Sequence, residues 1–162
     1  MMTLTDSQVE AVKSQLELIH GNCLYSAQAY FEASKRAELW GRLMVFMPAC
    51  LSAISGFMAA LGDKAFWGGI AAVSGAVAAT ASFLGGTKKA SDFLISARAY
   101  TILRHRVKLE LQLLSADADY AEVRQRVEDL NREYTQIVAS DIPVPNRSFT
   151  VASRRIDAGA AS

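Results

Sequence analysis

The sequence predicts an all-α membrane protein, in which a two-span transmembrane helical hairpin extends into a cytoplasmic three-helix bundle. The 162 residues carry 17 Lys+Arg and 16 Asp+Glu, yet residues 43–87 contain only Asp63 and Lys64. Apolar residues on both sides of this stretch recur at three-and-four spacing, which is typical of helices. The net charge of +1 does not favour a nucleic-acid interface, because such interfaces need a basic surplus.

The charge distribution and the apolar spacing together predict five segments. We expect an N-terminal helix at 1–42, a first span at 43–62, a second span at 65–87, a helical hairpin at 88–140, and a proline-bearing arm and tail at 141–162.

The two uncharged runs are long enough to cross a bilayer. A helix rises about 1.5 Å per residue, so roughly 20 residues cross a hydrocarbon core of about 30 Å. Only Gly62-Asp63-Lys64 separates the runs, and two helices joined by so short a turn must be antiparallel. The alternative is a buried hairpin inside a soluble bundle, which is disfavoured because the rest of the chain has little apolar surface to cover it.

Basic residues flank the outer ends of the hairpin: Lys35, Arg36 and Arg42 before it, and Lys88, Lys89 and Arg98 after it. The turn carries Lys64 beside Asp63. By the positive-inside rule, the sequence predicts a multi-pass membrane protein with both termini cytoplasmic. Trp40 and Trp67 are expected as anchors at the membrane interface.

The first helix has a predicted start at Thr5, with Gln8 completing a capping box. An apolar stripe runs from Val9 to Trp40 and continues in the same phase from Met44 to Leu61. This spacing favours one long helix, or two collinear helices that meet at a weak point at Gly21-Asn22.

Helical spacing also continues beyond the second span, from Phe93 to Leu114. A third helix is predicted from Tyr120, capped by Asp119. After Ser140, two prolines favour an extended arm, and a disordered tail is expected at 157–162.

The second span is dominated by small residues, whereas the first has many large apolar ones. The small residues form a seam at four-and-three spacing: Gly68, Ala72, Gly75, Ala79, Ser82 and Gly86. Small seams let helices approach closely in lipid. The first span offers a partial complement in Ala49, Ala53, Gly56 and Ala60.

Two interpretations of the seam stay open: it packs the hairpin, or it places the second span inside a homo-oligomer. In the second case Ser74, Thr80 and Ser82 are candidates to face a water path.

No catalytic, cofactor or metal site is expected. His20 and Cys23 stand at i and i+3, but His105 is the only other histidine, and one such pair does not make a metal site. The glycines form no phosphate-binding loop. The basic stretch Arg98, Arg104, Arg106 and Lys108 is interpreted as a solvated face, with an anionic lipid or nucleotide-like ligand as the alternative. The sequence therefore predicts that the protein is not an enzyme.

Several short motifs lie between residues 25 and 150: 30–36 (YFEASKR), Trp40-Gly41, 51–56 (LSAISG), 80–84 (TASFL), Lys89-Ala90, Ala99-Tyr100, Leu103 and Pro143-Val144-Pro145. Over this range the chain resembles the SLATT domain, a two-span family associated with SMODS and SLOG modules in prokaryotic conflict systems.

The resemblance implies an antiphage membrane effector that oligomerises and permeabilises or depolarises the inner membrane. It also implies a partner encoded nearby, such as a nucleotide-signalling or ligand-sensing protein, which supplies the trigger. The alternative, from a different functional class, is a non-conducting anchor that docks a soluble partner through its cytoplasmic helices.

Overall fold

The protein is described from a computed structural model covering residues 5–62, 64–83, 86–115 and 118–159. Five helices account for its elements: α1 (Asp6–Leu61), α2 (Lys64–Phe83), α3 (Gly86–Leu113), α4 (Tyr120–Ser140) and α5 (Asn146–Asp157). The prediction of an all-helical protein with two long apolar helices is confirmed.

Helix α1 is a single element of 56 residues, as the continuous apolar spacing predicts. One half of the expected capping box forms at its start, where the Thr5 backbone N–H donates to Gln8 Oε1 at 3.0 Å, while the Thr5 hydroxyl lies 3.2 Å from that of Ser7. Pro48 lies inside the helix. Proline removes one backbone hydrogen bond, and such losses are tolerated in apolar spans where neighbouring groups compensate.

The second predicted span corresponds to α2 and the start of α3. Helix α2 has 20 residues, and such a helix is about 30 Å long. Residues 84 and 85 lie outside the described part of the chain, so the predicted continuation of one helix through them is not described. Asp63 of the predicted turn lies outside it as well.

Two compact units divide the chain, and each is treated by itself. The hairpin unit comprises Ser34–Asp92, and the bundle unit comprises Met1–Ala33 together with Phe93–Ser162.

The bundle unit has a core of large aliphatic and aromatic side chains. Its buried members include Leu16, Ile19, Cys23, Tyr30, Phe93, Tyr100, Leu103, Val107, Val123 and Leu130. Most of them lie on the predicted helical stripes. The ring of Tyr30 is 6.1 Å from that of Phe93, and the ring of Tyr100 is 6.2 Å from that of Tyr134. These contacts join α1 to α3 and α3 to α4.

Helix α5 is a fourth helical segment in this unit, at a place where the sequence predicts only an arm and tail. The arm itself is non-helical at 141–145, in agreement with its two prolines. Helix α5 buries Ser148 and Ala152. Phe149 stacks on Tyr25 of α1 at 6.3 Å, and Arg155 pairs with Glu32 at 2.7 Å.

Candidate functional site: the apolar hairpin

The hairpin unit exposes its large apolar side chains. The exposed set includes Leu43, Met44, Phe46, Met47, Leu51, Ile54, Phe57, Leu61, Val73 and Val77. In each of the two candidate spans, only 6 % of the most apolar 18-residue window is buried. A core helix of a soluble protein would be mostly buried, so this pattern is typical of helices whose outer surface contacts lipid.

A different set of residues lies between the two helices. The less exposed row of α1 is Gly41, Val45, Pro48, Ser52, Ser55 and Ala59, and that of α2 is Trp67, Ala71, Ser74, Ala78 and Ala81. We call these the inner rows. The Ser52 hydroxyl donates to the Ala71 carbonyl at 3.0 Å, which links α1 to α2 directly.

Two hydroxyls are hidden inside the hairpin. Ser55 is fully buried and Ser74 nearly so. Among the described residues, the Ser55 hydroxyl has no hydrogen-bond partner. Small side chains allow the two backbones to come close, as in other membrane helix pairs.

The predicted small seam is offset from the inner rows. Ala72, Ala79 and Ser82 are exposed, while Gly68 and Gly75 are partly covered. A Cβ atom on Gly75 would lie 3.5 Å from the Ser52 hydroxyl oxygen, so Gly75 borders the interhelical contact. A Cβ atom on Gly68 would meet no atom within 4 Å. Gly86 is the first residue of α3, and its surroundings lie outside the described part.

The partial complement on α1 is also outside the interhelical contact. Ala49, Ala53, Gly56 and Ala60 are all exposed. A Cβ atom on Gly56 would meet no atom within 4 Å. The packing of the single hairpin therefore leaves most of both small rows unoccupied.

Both small rows lie on the same side of the hairpin. On each helix, the small row follows the inner row by one residue, which is a rotation of about 100°. Since the helices are antiparallel, equal rotations in the chain direction turn both rows to one side. We call this side the small face.

The opposite side is bulky. An apolar cavity of about 460 Å³ on this side is lined from α1 by Met44 and from α2 by Val73 and Val77. Its lining combines large residues of both helices, so the large residues of α1 and α2 share one side of the hairpin, as the small rows share the other.

The predicted water-facing hydroxyls have different positions. Ser74 is buried between the helices, whereas Thr80 and Ser82 are exposed. Thr80 donates to the Ala76 carbonyl at 2.8 Å and Ser82 to the Ala78 carbonyl at 2.9 Å. Such bonds to the preceding turn satisfy a hydroxyl donor inside an apolar environment.

The interface anchors and the junction with α3 also have defined positions. Trp40 is exposed and Trp67 is partly covered, with its ring 5.4 Å from that of Phe66. At the end of the hairpin away from the turn, the buried Ser34 hydroxyl donates to the Ala90 carbonyl at 2.8 Å. This bond ties α1 to α3 within the hairpin unit.

In the bundle unit, two tyrosines hold the proline arm. Tyr100 donates to the Asp141 carboxylate at 2.5 Å, and Tyr30 donates to the Ile142 carbonyl at 3.0 Å. Burial and the hydrogen bond with Asp141 raise the pKa of Tyr100, and burial and the charge of Asp141 raise that of Tyr30. We call this group of contacts the tyrosine clasp. Helical spacing places both tyrosines on predicted helices, but nothing in the sequence pairs them with the arm.

The absence of a metal site at His20 and Cys23 remains a prediction. Within the described ranges, no group of three His, Cys, Asp or Glu side chains could hold a metal ion. Burial raises the pKa of the Cys23 thiol to about 11, which disfavours the thiolate that binds metals. Burial, and then Arg104 and Lys108, lower the pKa of His20.

In the basic stretch on α3, some side chains interact with other residues and others are exposed to solvent. Arg106 pairs with Glu133 of α4, and Arg104 is also engaged in an interaction. Arg98 is exposed and forms no ion pair with a described residue.

Comparisons of the chain with protein-family models, with curated proteins and with solved structures found no match.

Proposed function

We propose that the protein is a homo-oligomeric inner-membrane effector that permeabilises or depolarises the membrane. The observation that carries the proposal is the hairpin whose large side chains are exposed and whose small face is unoccupied. Large apolar side chains suit lipid, and small faces are the usual contact between membrane helices. The small face then packs against a neighbouring hairpin, and several copies enclose a path for water and ions.

The proposed orientation places both ends of the hairpin in the cytoplasm. Lys35, Arg36 and Arg42 precede the hairpin and Lys88 and Lys89 follow it, against Lys64 at the turn. The positive-inside rule supports this topology. The resemblance to the SLATT domain supports a role in antiphage defence, with a sensor or nucleotide-signalling protein encoded nearby as the partner that supplies the trigger.

A second candidate function is a non-conducting membrane anchor for a soluble partner. It is favoured by the hydroxyls: Ser74 is buried, and Thr80 and Ser82 bond to their own helix. This leaves the single hairpin with few free polar groups for lining a water path.

The two functions separate in cells that overproduce the chain and contain a potential-sensitive dye. We expect depolarisation by the unaltered chain and a loss of at least about tenfold in its rate for Gly68→Val, since a branched side chain blocks close approach at the small face. The matched control is Gly69→Val. Gly69 is the next residue, lies away from the small face, and would also present its Cβ to open space.

Equal depolarisation by both variants would contradict the small face as the contact between copies. Cells that stay polarised at every expression level would contradict the effector and support the anchor.

A further inference from the structure

Helix α3 has apolar residues on two opposite sides. One side enters the core of the bundle unit through Ala97, Tyr100, Leu103 and Val107. The other carries a second row at four-and-three spacing, which we call the α3 outer row: Ile95, Ala99, Ile102, Arg106, Leu109 and Leu113. Its aliphatic members are well exposed, at 61 % for Ile95, 60 % for Ile102 and 54 % for Leu109.

Such a row is unusual on a helix that faces water. Heptad-spaced large aliphatics on an otherwise polar surface are typical of helix–helix contacts. Single exposed apolar residues need no explanation, but an aligned row of them indicates an interaction surface.

In the same unit, helix α1 has an exposed row made mostly of small side chains. The α1 outer row is Ser7, Ala11, Ser14, Leu18 and Gly21, also at four-and-three spacing. It is made of small side chains around one leucine. A Cβ atom on Gly21 would meet no atom within 4 Å, so this surface is open.

The two outer rows cannot meet within one chain. Helices α1 and α3 already contact each other through their inner sides, where the ring of Tyr30 is 5.6 Å from that of Tyr100. The outer rows lie on the far sides of the two helices. A contact between them therefore needs a second copy.

We infer that the α3 outer row of one copy packs antiparallel against the α1 outer row of the next copy. In this register the large residues of one helix meet the small residues of the other. Ile95 lies opposite Gly21, Ile102 opposite Ser14, and Leu109 opposite Ser7. Leu18, the one large residue of the α1 outer row, meets Ala99. Alternation of large and small residues across facing positions is how two helices interlock.

The charges along the edges fit the same register. Arg98 and His105 border the α3 outer row and are seven residues apart, and Glu10 and Glu17 border the α1 outer row at the same interval. Antiparallel packing brings Arg98 beside Glu17 and His105 beside Glu10. Neither Arg98 nor Glu10 has an ion-pair partner in the described part of the chain.

Net charge favours this arrangement over self-pairing of α3. Residues 95–113 carry four Lys/Arg and one Glu, a net charge of +3, and residues 6–25 carry three acidic residues and one Lys, a net charge of −2. Two α3 helices side by side would repel, whereas α3 and α1 attract.

The contact is heterologous, because different surfaces of each copy take part. A heterologous contact repeated from copy to copy forms a ring if the rotation between copies closes, and an open filament if it does not. Helices α1 and α3 run in opposite directions within a copy, since Tyr30 meets Phe93 while His20 lies near Arg104 and Lys108. Copies inserted with the same orientation therefore bring α3 and the neighbouring α1 together in the antiparallel sense. This contact rests on the proposed homo-oligomer and specifies how its bundle units join.

The test is cysteine cross-linking between two differently sized full-length chains in vesicles of phosphatidylethanolamine and phosphatidylglycerol. One chain carries Ile102→Cys, the other Ser14→Cys, both in a Cys50→Ala background; Cys23 is buried. With copper phenanthroline as the oxidant, we expect a heterodimeric disulfide in a yield at least about tenfold above that of Ile102→Cys with Val138→Cys, because facing residues have a high effective concentration.

A prominent product between two Ile102→Cys chains would overturn the inference in favour of an isologous contact. Yields equal to the Val138→Cys control would overturn it as well. Membrane leakage by the same vesicles is measured in parallel. Leakage without the heterodimer would contradict only this interface. The heterodimer without leakage would support the interface and contradict only permeabilisation by the chain alone, without its trigger.

Discussion

The bundle unit and the hairpin unit place their side chains in opposite ways. The bundle buries large residues such as Leu103 and Tyr100, whereas the hairpin buries Ser55 and Ser74 and exposes Ile54 and Phe57. The two units share helices α1 and α3, so helix formation does not explain the difference.

Under the proposed membrane location, the difference reflects the solvent that surrounds each unit. In water, burial of large apolar area is the main favourable term. In lipid that term is absent between helices, and close backbone approach with satisfied polar groups takes its place. The same kind of apolar stripe therefore points inward in the bundle unit and outward in the hairpin unit.

The largest expected difference is between the effects of a lysine placed on the hairpin unit and a lysine placed on the bundle unit. Ile54 is 59 % exposed and Val138 is 48 % exposed. If lipid surrounds the hairpin, Ile54→Lys raises the apparent free energy of membrane insertion by about 3 kcal/mol. The fraction that resists carbonate extraction then falls. Val138→Lys on the bundle changes stability by less than about 0.5 kcal/mol. An Ile54→Lys chain that stays as resistant as the Val138→Lys chain would show that both surfaces face water.

An intermediate effect is expected from the tyrosine clasp. Tyr100→Phe removes a hydrogen bond to a carboxylate, and such bonds contribute about 1.5 kcal/mol or more. Release of the arm then raises the rate of tryptic cleavage at Arg147 in α5 by about tenfold. Tyr134→Phe is the control, because its hydroxyl makes no hydrogen bond within the described ranges.

The clasp also predicts a pH dependence. The pKa of Tyr100 in the fold is raised above its ordinary value of 10.0. Its contribution to stability is therefore complete below pH 10 and is lost as the pH rises further. The cleavage rate of the unaltered chain should increase above pH 10, and the increase should be smaller for Tyr100→Phe. Identical profiles for the two chains would exclude Tyr100 as a source of the dependence.

The smallest effect separates two serines inside the hairpin. Ser52→Ala removes the hydrogen bond to Ala71 and costs about 0.6 kcal/mol, the usual value between membrane helices. Ser55→Ala removes a buried hydroxyl that has no partner among the described residues, so it leaves the hairpin equally or more stable. Titration of the full chain from mild detergent into dodecyl sulfate measures both. A greater loss for Ser55→Ala than for Ser52→Ala would contradict this assignment.

Much of the helical layout could be predicted from spacing and charge. The start of α1 at Thr5, its passage through Pro48, and the cap of α4 at Asp119, which accepts from the Ala121 N–H at 3.3 Å, all follow local rules. These features depend on neighbouring residues, which the sequence shows directly.

Features that depend on distant contacts were harder to predict. Helix α5 fully buries only Ser148 and Ala152, and its large apolar residues Phe149 and Ile156 are at most partly covered. The three-and-four spacing of Phe149, Ala152 and Ile156 was the available signal. The inner rows of the hairpin are likewise small, and the apolar stripe from Met44 to Leu61 marks the exposed surface instead.

The two-sided hairpin also sets different evolutionary constraints on its residues. If the bulky side faces lipid, any aliphatic or aromatic side chain is accepted there, so Ile54 and Val73 can be replaced by other such residues. If the small face is the contact between copies, an added methyl group at Gly56 or Ala79 would push neighbouring copies apart. Substitutions accumulated over time should therefore spare one side of the hairpin and spread across the other, leaving a record of which side has been in contact with protein.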